Sequence, residues 1–282
     1  MKSLLVFRPL NLLIVAVLQL VTYHFIDFNH PPINKTIVLL IAASLCVTAG
    51  GYLFNDWMDQ SADLINKPEK QYVSSWSKGS FWIAYVCLTA LGLGLSFIVS
   101  IDLFYYYLLV VLILVFYSLW LKRLPLIGNF TVSLLAAFSV YVVYLIFKSQ
   151  DYKLIIFYAG FAALVTYIRE IVKDMEDIDG DSSAGYKTFP VLAGLGQSKT
   201  IAMITIVFVL VSYGNLLLQW TMNQFKMPIL GVVLVYHVLC VVVPMIILLY
   251  LTYKSRVKSD FTRLSAIVKY IMATGLMSMV FY

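Results

Sequence analysis

Three carboxylates and an amide crowd the end of an apolar run. Asn55, Asp56, Asp59 and Asp63 follow the apolar stretch 37–54, and the acids are spaced i, i+3, i+7. On a helix this spacing puts the acids within about 60° of arc, one turn above another, and Asn55 joins the same face four residues before Asp59. Like charges stacked this way repel unless a cation sits among them. Oxygen-only donors suit a hard ion such as Mg²⁺, which usually keeps waters and takes one or two carboxylates together with substrate phosphates. The competing reading is that the acids merely solvate a helix end.

A second stretch repeats the pattern. Asp174, Asp177 and Asp181 reproduce the 3-then-4 spacing after another apolar run, 154–168, with Glu170 on the same face and Arg169 and Lys173 beside it. Nine of the fourteen acids lie in these two stretches. That concentration favours one shared site over two solvated helix ends.

The scaffold has to be a membrane bundle. Hydrophobic residues make up 62% of the 282, charged residues 12%, and the mean hydropathy is +0.90. These values exclude a soluble domain and predict an all-α polytopic protein. Nine apolar segments are long enough to cross the bilayer: 10–28, 37–55, 81–99, 103–121, 127–147, 154–171, 199–219, 229–253 and 266–282. The first follows a basic start without a small-residue cleavage site and reads as a retained span. No linker divides the segments, so a single domain over 1–282 is expected. The acid motifs fall after spans two and six, which hints at two related halves.

Charge orients the bundle. Sixteen Lys and Arg residues lie at the N-terminus and in the loops after even-numbered spans, against four on the other side. The positive-inside rule then places the N-terminus and both acid clusters in the cytoplasm and the C-terminus outside, in a plasma (inner) membrane. The net charge of +6 is scattered over short loops, which argues against nucleic acid as a partner. Cys46, Cys87 and Cys240 stand singly in apolar runs, and His24, His30 and His237 have no ligand spacing.

Two acid clusters on one membrane face can hold a pair of Mg²⁺ ions bridged by a diphosphate. The metals neutralise the charge developing on the leaving group while cationic side chains clamp its other oxygens. Lys67, Lys70, Arg169, Lys173 and Lys187 are the candidate clamps. Below this rim the chain has 20 Tyr, 18 Phe and 5 Trp. Most of these rings face lipid or pack, but a few lining a cavity would stabilise an allylic cation.

Asn55-Asp56-x-x-Asp59-x-x-x-Asp63 resembles the first signature of the UbiA-type intramembrane prenyltransferases, and Asp177-x-x-x-Asp181 the second. Arg8-Pro9-x-Asn11 before span one and Gly128-Asn129 opening span five are also similar to family members. The resemblance implies nine helices around a cavity open to the bilayer, with the aspartates holding Mg²⁺ and a prenyl diphosphate donor. It also implies a lipophilic acceptor drawn from the surrounding membrane lipids.

Within the family, the stretch 169–181 followed by Gly185-x-x-Thr188-x-Pro190 resembles the digeranylgeranylglyceryl phosphate synthase branch, implying O-prenylation of geranylgeranylglyceryl phosphate. Such an acceptor brings a phosphate that needs its own cation, Arg169 or Lys173, and a hydroxyl proton that Glu170 or Asp174 can take. The chain departs from the family at Lys70, where an arginine is common; lysine lacks the bidentate fork. Two alternatives remain open. One is prenylation of an aromatic acid in quinone biosynthesis. The other is a cation transporter, although transporter acids usually sit near the midplane rather than at helix ends beside basic partners.

Overall fold

The computed structural model describes residues 6–25, 31–60, 76–148, 151–223 and 230–282, and among them every regular element is helical. In chain order the helices are α1 Pro9–Phe25, α2 Lys35–Met58, α3 Lys78–Val99, α4 Ile101–Leu119, α5 Ile127–Phe147 and α6 Tyr152–Glu176. There follow the short α7 Ile178–Ser183, α8 Phe189–Asn223, α9 Leu230–Lys254 and α10 Lys258–Met277. Eight of the described helices are long and apolar enough to cross a membrane, and α1 is a shorter apolar one. These are the nine segments expected from hydropathy. Asp63, Lys67 and Lys70 lie outside the described residues.

Side chains that satisfy the first orphan N–H groups set the helix starts. Asn34 Oδ1 accepts from Ile37 N at 3.0 Å, Ser77 Oγ from Ser80 N at 3.0 Å, Ser100 Oγ from Leu103 N at 3.1 Å and Asp151 Oδ1 from Leu154 N at 3.0 Å. Pro9 opens α1, where its missing N–H costs nothing. Pro244 is the harsher case, because it sits inside α9 and lacks the donor for the preceding turn. The helix widens to a π-turn over Val238–Val242, and the hydroxyl of Thr274 on α10 donates to Cys240 O at 2.8 Å. A neighbouring helix thus satisfies the carbonyl that proline leaves over, the usual remedy where no water is available.

The core explains which helices carry function. One apolar cluster joins α6 to α1, α5, α8, α9 and α10 through residues such as Tyr158, Phe161, Ile168, Tyr213 and Phe261. A second joins α1, α2, α4 and α5 around Tyr23, Leu40, Leu103 and Val142. Consequently α2 and α6 are the innermost helices: 56% and 61% of their spanning windows are buried, against 11–39% for the others. Both acid motifs sit at the ends of these two. Close approach is allowed where side chains vanish: a Cβ on Gly275 of α10 would lie 2.3 Å from the Phe161 ring of α6.

Candidate active site

The structure corrects one geometric expectation. The acids of the second cluster do not line a single continuous helix face. Helix α2 stops at Met58 with Asp59 as its cap (φ −96°, ψ 5°), and α6 stops at Glu176 with Asp177 as its cap (φ −99°, ψ 11°). Asp181 is carried on α7 after that break. The second cluster is therefore a helix end that turns, carrying Asp181 around the corner from Asp174.

The first cluster is held by cations from elsewhere in the chain. Asp56 is ion-paired with Arg8. Arg8 adopts a left-handed backbone (φ +50°) immediately before Pro9, a conformation costly for a non-glycine residue and typical of sites where geometry is over-determined. Its carbonyl accepts the N–H groups of Asn11 and Leu12, and its guanidinium lies 4.9 Å from the Tyr52 ring centroid. Asp59 accepts from Asn55 Nδ2 at 2.8 Å, which keeps the four-residue pairing expected from spacing. It is also ion-paired with Lys122 and accepts from Tyr186 Oη at 3.2 Å.

Tyr186 bridges the two clusters, since its backbone N–H donates to Asp181 O at 2.8 Å. Arg123 stacks on the same ring at 5.3 Å, and its carbonyl accepts from Lys187 N. The Lys187 side chain itself is exposed at the surface, so the structure does not bring that candidate clamp into the site.

Within the second motif the pairing differs from simple helical spacing. Arg169 bonds Glu170 Oε1 at 2.6 Å, and Asp174 accepts from Asn129 Nδ2 at 2.7 Å. Glu170, Asp177 and Asp181 are buried. Burial pushes the Asp181 carboxyl up to about 6, Lys173 pulls it back, and the carboxylates of Asp177 and Asp59 add to the rise. Burial lowers Lys122, while Asp59 works against it. A buried carboxyl raised in this way beside other carboxylates calls for a cation.

Beneath these groups lies a cavity of about 250 Å³. Arg8, Asn11, Asn55, Arg169, Glu170 and Lys173 form its polar end, and Tyr52, Tyr117, Val110 and Leu114 are among its walls. Lys122, Tyr186, Tyr52 and Tyr117 escaped sequence reasoning. The first two come from distant loops, and tyrosines are too common here for any one to stand out. Gly128-Asn129 offered a clue to Lys122. A Cβ on Gly128 would lie 2.8 Å from Lys122 Cα and 3.1 Å from Leu121 O, so the glycine lets the Lys122 turn sit against α5.

Gly128→Ala is expected to cost about 1–3 kcal/mol of stability by overpacking, lowering both the melting temperature and turnover. Gly160→Ala, whose Cβ meets nothing within 4 Å, should be neutral or mildly stabilising. Thermal melts of the two variants in the same detergent check this.

Paired carboxylates over an apolar chamber inside the bilayer make this an intramembrane prenyltransferase site: charge for a diphosphate, and greasy walls for its chain. The chain belongs to the UbiA prenyltransferase family, whose model matches residues 12–267. Digeranylgeranylglyceryl phosphate synthase of Methanothrix thermoacetophila is 31% identical over 219 residues, covering 76% of this chain and 79% of the relative. Among solved structures, one described as digeranylgeranylglyceryl phosphate synthase has a TM-score of 0.73 at 22% identity over 99% of this chain and 96% of its own. A UbiA homologue of Archaeoglobus fulgidus, bound to GPP and Mg²⁺, has a TM-score of 0.70 at 16% identity over 100% of both chains. At these identities the two structures establish the shared fold.

Proposed function

We propose that the protein transfers a prenyl group, with Mg²⁺, from a prenyl diphosphate to the glycerol hydroxyl of geranylgeranylglyceryl phosphate, within one membrane domain spanning 1–282. The observation that carries the site is Tyr186. Bonded to Asp59 through its hydroxyl and to Asp181 through its backbone, it holds the two acid clusters together. The named relatives support the acceptor.

The residues fit the metal. Asn55, Asp56, Asp59, Asp177 and Asp181 offer only oxygen, and Asp181 is a buried carboxyl among carboxylates. Such an ion takes few protein ligands and shares phosphate oxygens. When bound, Mg²⁺ would supply charge neutralisation for the departing diphosphate.

The remaining work belongs to the chain. The bond between C1 of the donor and the diphosphate oxygen breaks, and the electron pair leaves with the diphosphate. Arg8 and Lys122, now paired with Asp56 and Asp59, turn toward its oxygens. Tyr52 and Tyr117 present ring faces to the allylic cation and exclude water. The glycerol oxygen bonds to C1, and its proton passes to Glu170 or Asp174. Lys173, beside Glu170 on the cavity wall, receives the acceptor phosphate.

The test is product formation from geranylgeranyl diphosphate and geranylgeranylglyceryl phosphate. Diphosphate should appear with Mg²⁺ and fall to background with EDTA. Activity undiminished by EDTA would defeat the metal assignment.

The active site faces the cytoplasm and the protein resides in the plasma (inner) membrane in this reading, because the basic loops share that side. In a variant lacking Cys46, Cys87 and Cys240, a cysteine at Ser77 or Ser182 should react with an impermeant thiol reagent only from the cytoplasmic side, and one at Ser100 only from outside. Opposite labelling of Ser77 and Ser182 would separate the clusters and end the shared-site reading.

A further inference from the structure

A lysine stands in the middle of the last membrane span. Lys269 lies eleven residues after Lys258, the first residue of α10, about 16 Å along the axis. Between Arg263 and Tyr282 it is the only charged residue. Helix α10 runs antiparallel to α6, and three contacts fix the register. Thr262 Oγ1 donates to Glu176 Oε1 at 2.9 Å, Thr166 Oγ1 donates to Met272 Sδ at 4.0 Å, and Gly275 lies against the Phe161 ring. This register sets Lys269 level with Arg169. Lys269, Met272 and Leu276 all line the cavity, and their 3-then-4 spacing puts them on one face of α10. On α6 the same pattern runs from Arg169 through Thr166 to Ala162, all lining the cavity too. Both faces are cationic nearer the acid motifs and small or apolar farther in.

We infer that Lys269 binds the phosphate of the acceptor, which lies along the α6–α10 wall with its head between Lys269 and Arg169 and its chain on Met272 and Leu276. The inference deepens the acceptor reading proposed above and rests on it. A cation inside a span is costly, and it is held there when it faces a polar cavity and an anion. Among the described lining residues one carboxylate, Glu170, stands against four cations, Arg8, Arg169, Lys173 and Lys269. That excess suits two phosphate-bearing substrates. A phosphate monoester carries nearly two negative charges at neutral pH, more than Lys173 alone balances. Arg169 spends one of its five donors on Glu170, which leaves others for a phosphate. The cations assigned to the donor stand elsewhere: Arg8 and Lys122 are tied to α2 through Asp56 and Asp59, whereas Lys269 stands beside α6. A head group at Arg169 also brings the glycerol hydroxyl to the next residue, Glu170, one of the two acids offered its proton.

The test measures binding without turnover. Geranylgeranylglyceryl phosphate is titrated into the full-length protein in phosphatidylcholine nanodiscs with no donor present, in parallel with geranylgeranylglycerol, the same lipid without its phosphate. The unmodified protein should hold the phosphate form at least about tenfold more tightly than the alcohol. Lys269→Met should weaken the phosphate form by about 10- to 100-fold and leave the alcohol within about threefold. Lys269→Arg, which keeps the charge, should restore most of the loss. The affinity for geranylgeranyl S-thiolodiphosphate with Mg²⁺, an unreactive donor, should move by less than about threefold in both variants. Weaker binding of the thiolodiphosphate in Lys269→Met, with the acceptor unaffected, would overturn the assignment and put Lys269 at the donor. A lower melting temperature with both ligands bound as before would overturn it too, leaving Lys269 a structural counter-ion. Either result spares the acceptor reading. Equal affinity of the unmodified protein for the phosphate and the alcohol would overturn both.

Discussion

Asp59→Asn is expected to lower turnover at least about a thousandfold, and Asp177→Asn to do the same. Each change removes one negative charge and almost no volume. A carboxylate that helps a metal stabilise a leaving diphosphate contributes several kcal/mol to the transition state, and each 1.4 kcal/mol is about a factor of ten. The two variants fail through different local losses. Asp59→Asn also strips Lys122 of its partner, leaving a buried cation uncompensated. Asp177 sits at the break between α6 and α7. Agreement between them would therefore point to what they share, the metal and diphosphate. Turnover at saturating Mg²⁺, measured alongside thermal melts, checks this, and EDTA on the unmodified protein reproduces the effect without any mutation. Near-normal turnover in either folded variant would sink the two-cluster site.

The second large effect concerns Lys173. Lys173→Met should raise the apparent KM for the glyceryl phosphate acceptor by about 10- to 100-fold, matching the 1.5–3 kcal/mol of a charge-assisted hydrogen bond. The KM for the prenyl diphosphate should move by less than about threefold. The bland reading makes Lys173 a structural counter-ion for neighbouring acids, with Arg169 paired to Asp174 in the same manner. The observed pairs remove only the second half of it: Arg169 takes Glu170, and Asp174 takes Asn129, which leaves Lys173 with Asp177 as the structural alternative. A structural counter-ion would raise both KM values together and lower the melting temperature. Steady-state kinetics with each substrate varied in turn distinguish the two.

Hydropathy and acid spacing are local properties, and what they dictate was legible. Among the described residues, apolar helices appear where the nine apolar runs lie. The Asn55–Asp59 pair also followed from spacing. What spacing missed was where each helix stops. Asp59 and Asp177 are caps, and at the second motif a 3-then-4 pattern that reads as one helical face becomes a corner.

Long-range partners were hidden for a different reason. Lys122 and Tyr186 meet Asp59 across 63 and 127 residues, and no local pattern encodes such a meeting. Gly128 came nearest to doing so. It marks the place where a backbone must pass close to the Lys122 turn. At the neighbouring position Lys187 is exposed at the surface, and Tyr186 is the residue that turns inward.

The most direct test of the account is a competition among acceptors. Purified protein, Mg²⁺ and geranylgeranyl diphosphate are offered equal amounts of geranylgeranylglyceryl phosphate, 4-hydroxybenzoate, dihydroxynaphthoate and homogentisate, and the products are identified by mass spectrometry. The glyceryl ether should be the dominant product, and at subsaturating acceptor its share should fall by about 10- to 100-fold in Lys173→Met. A prenylated aromatic acid as the main product, with the glyceryl phosphate left untouched, would contradict it and put the protein in quinone biosynthesis.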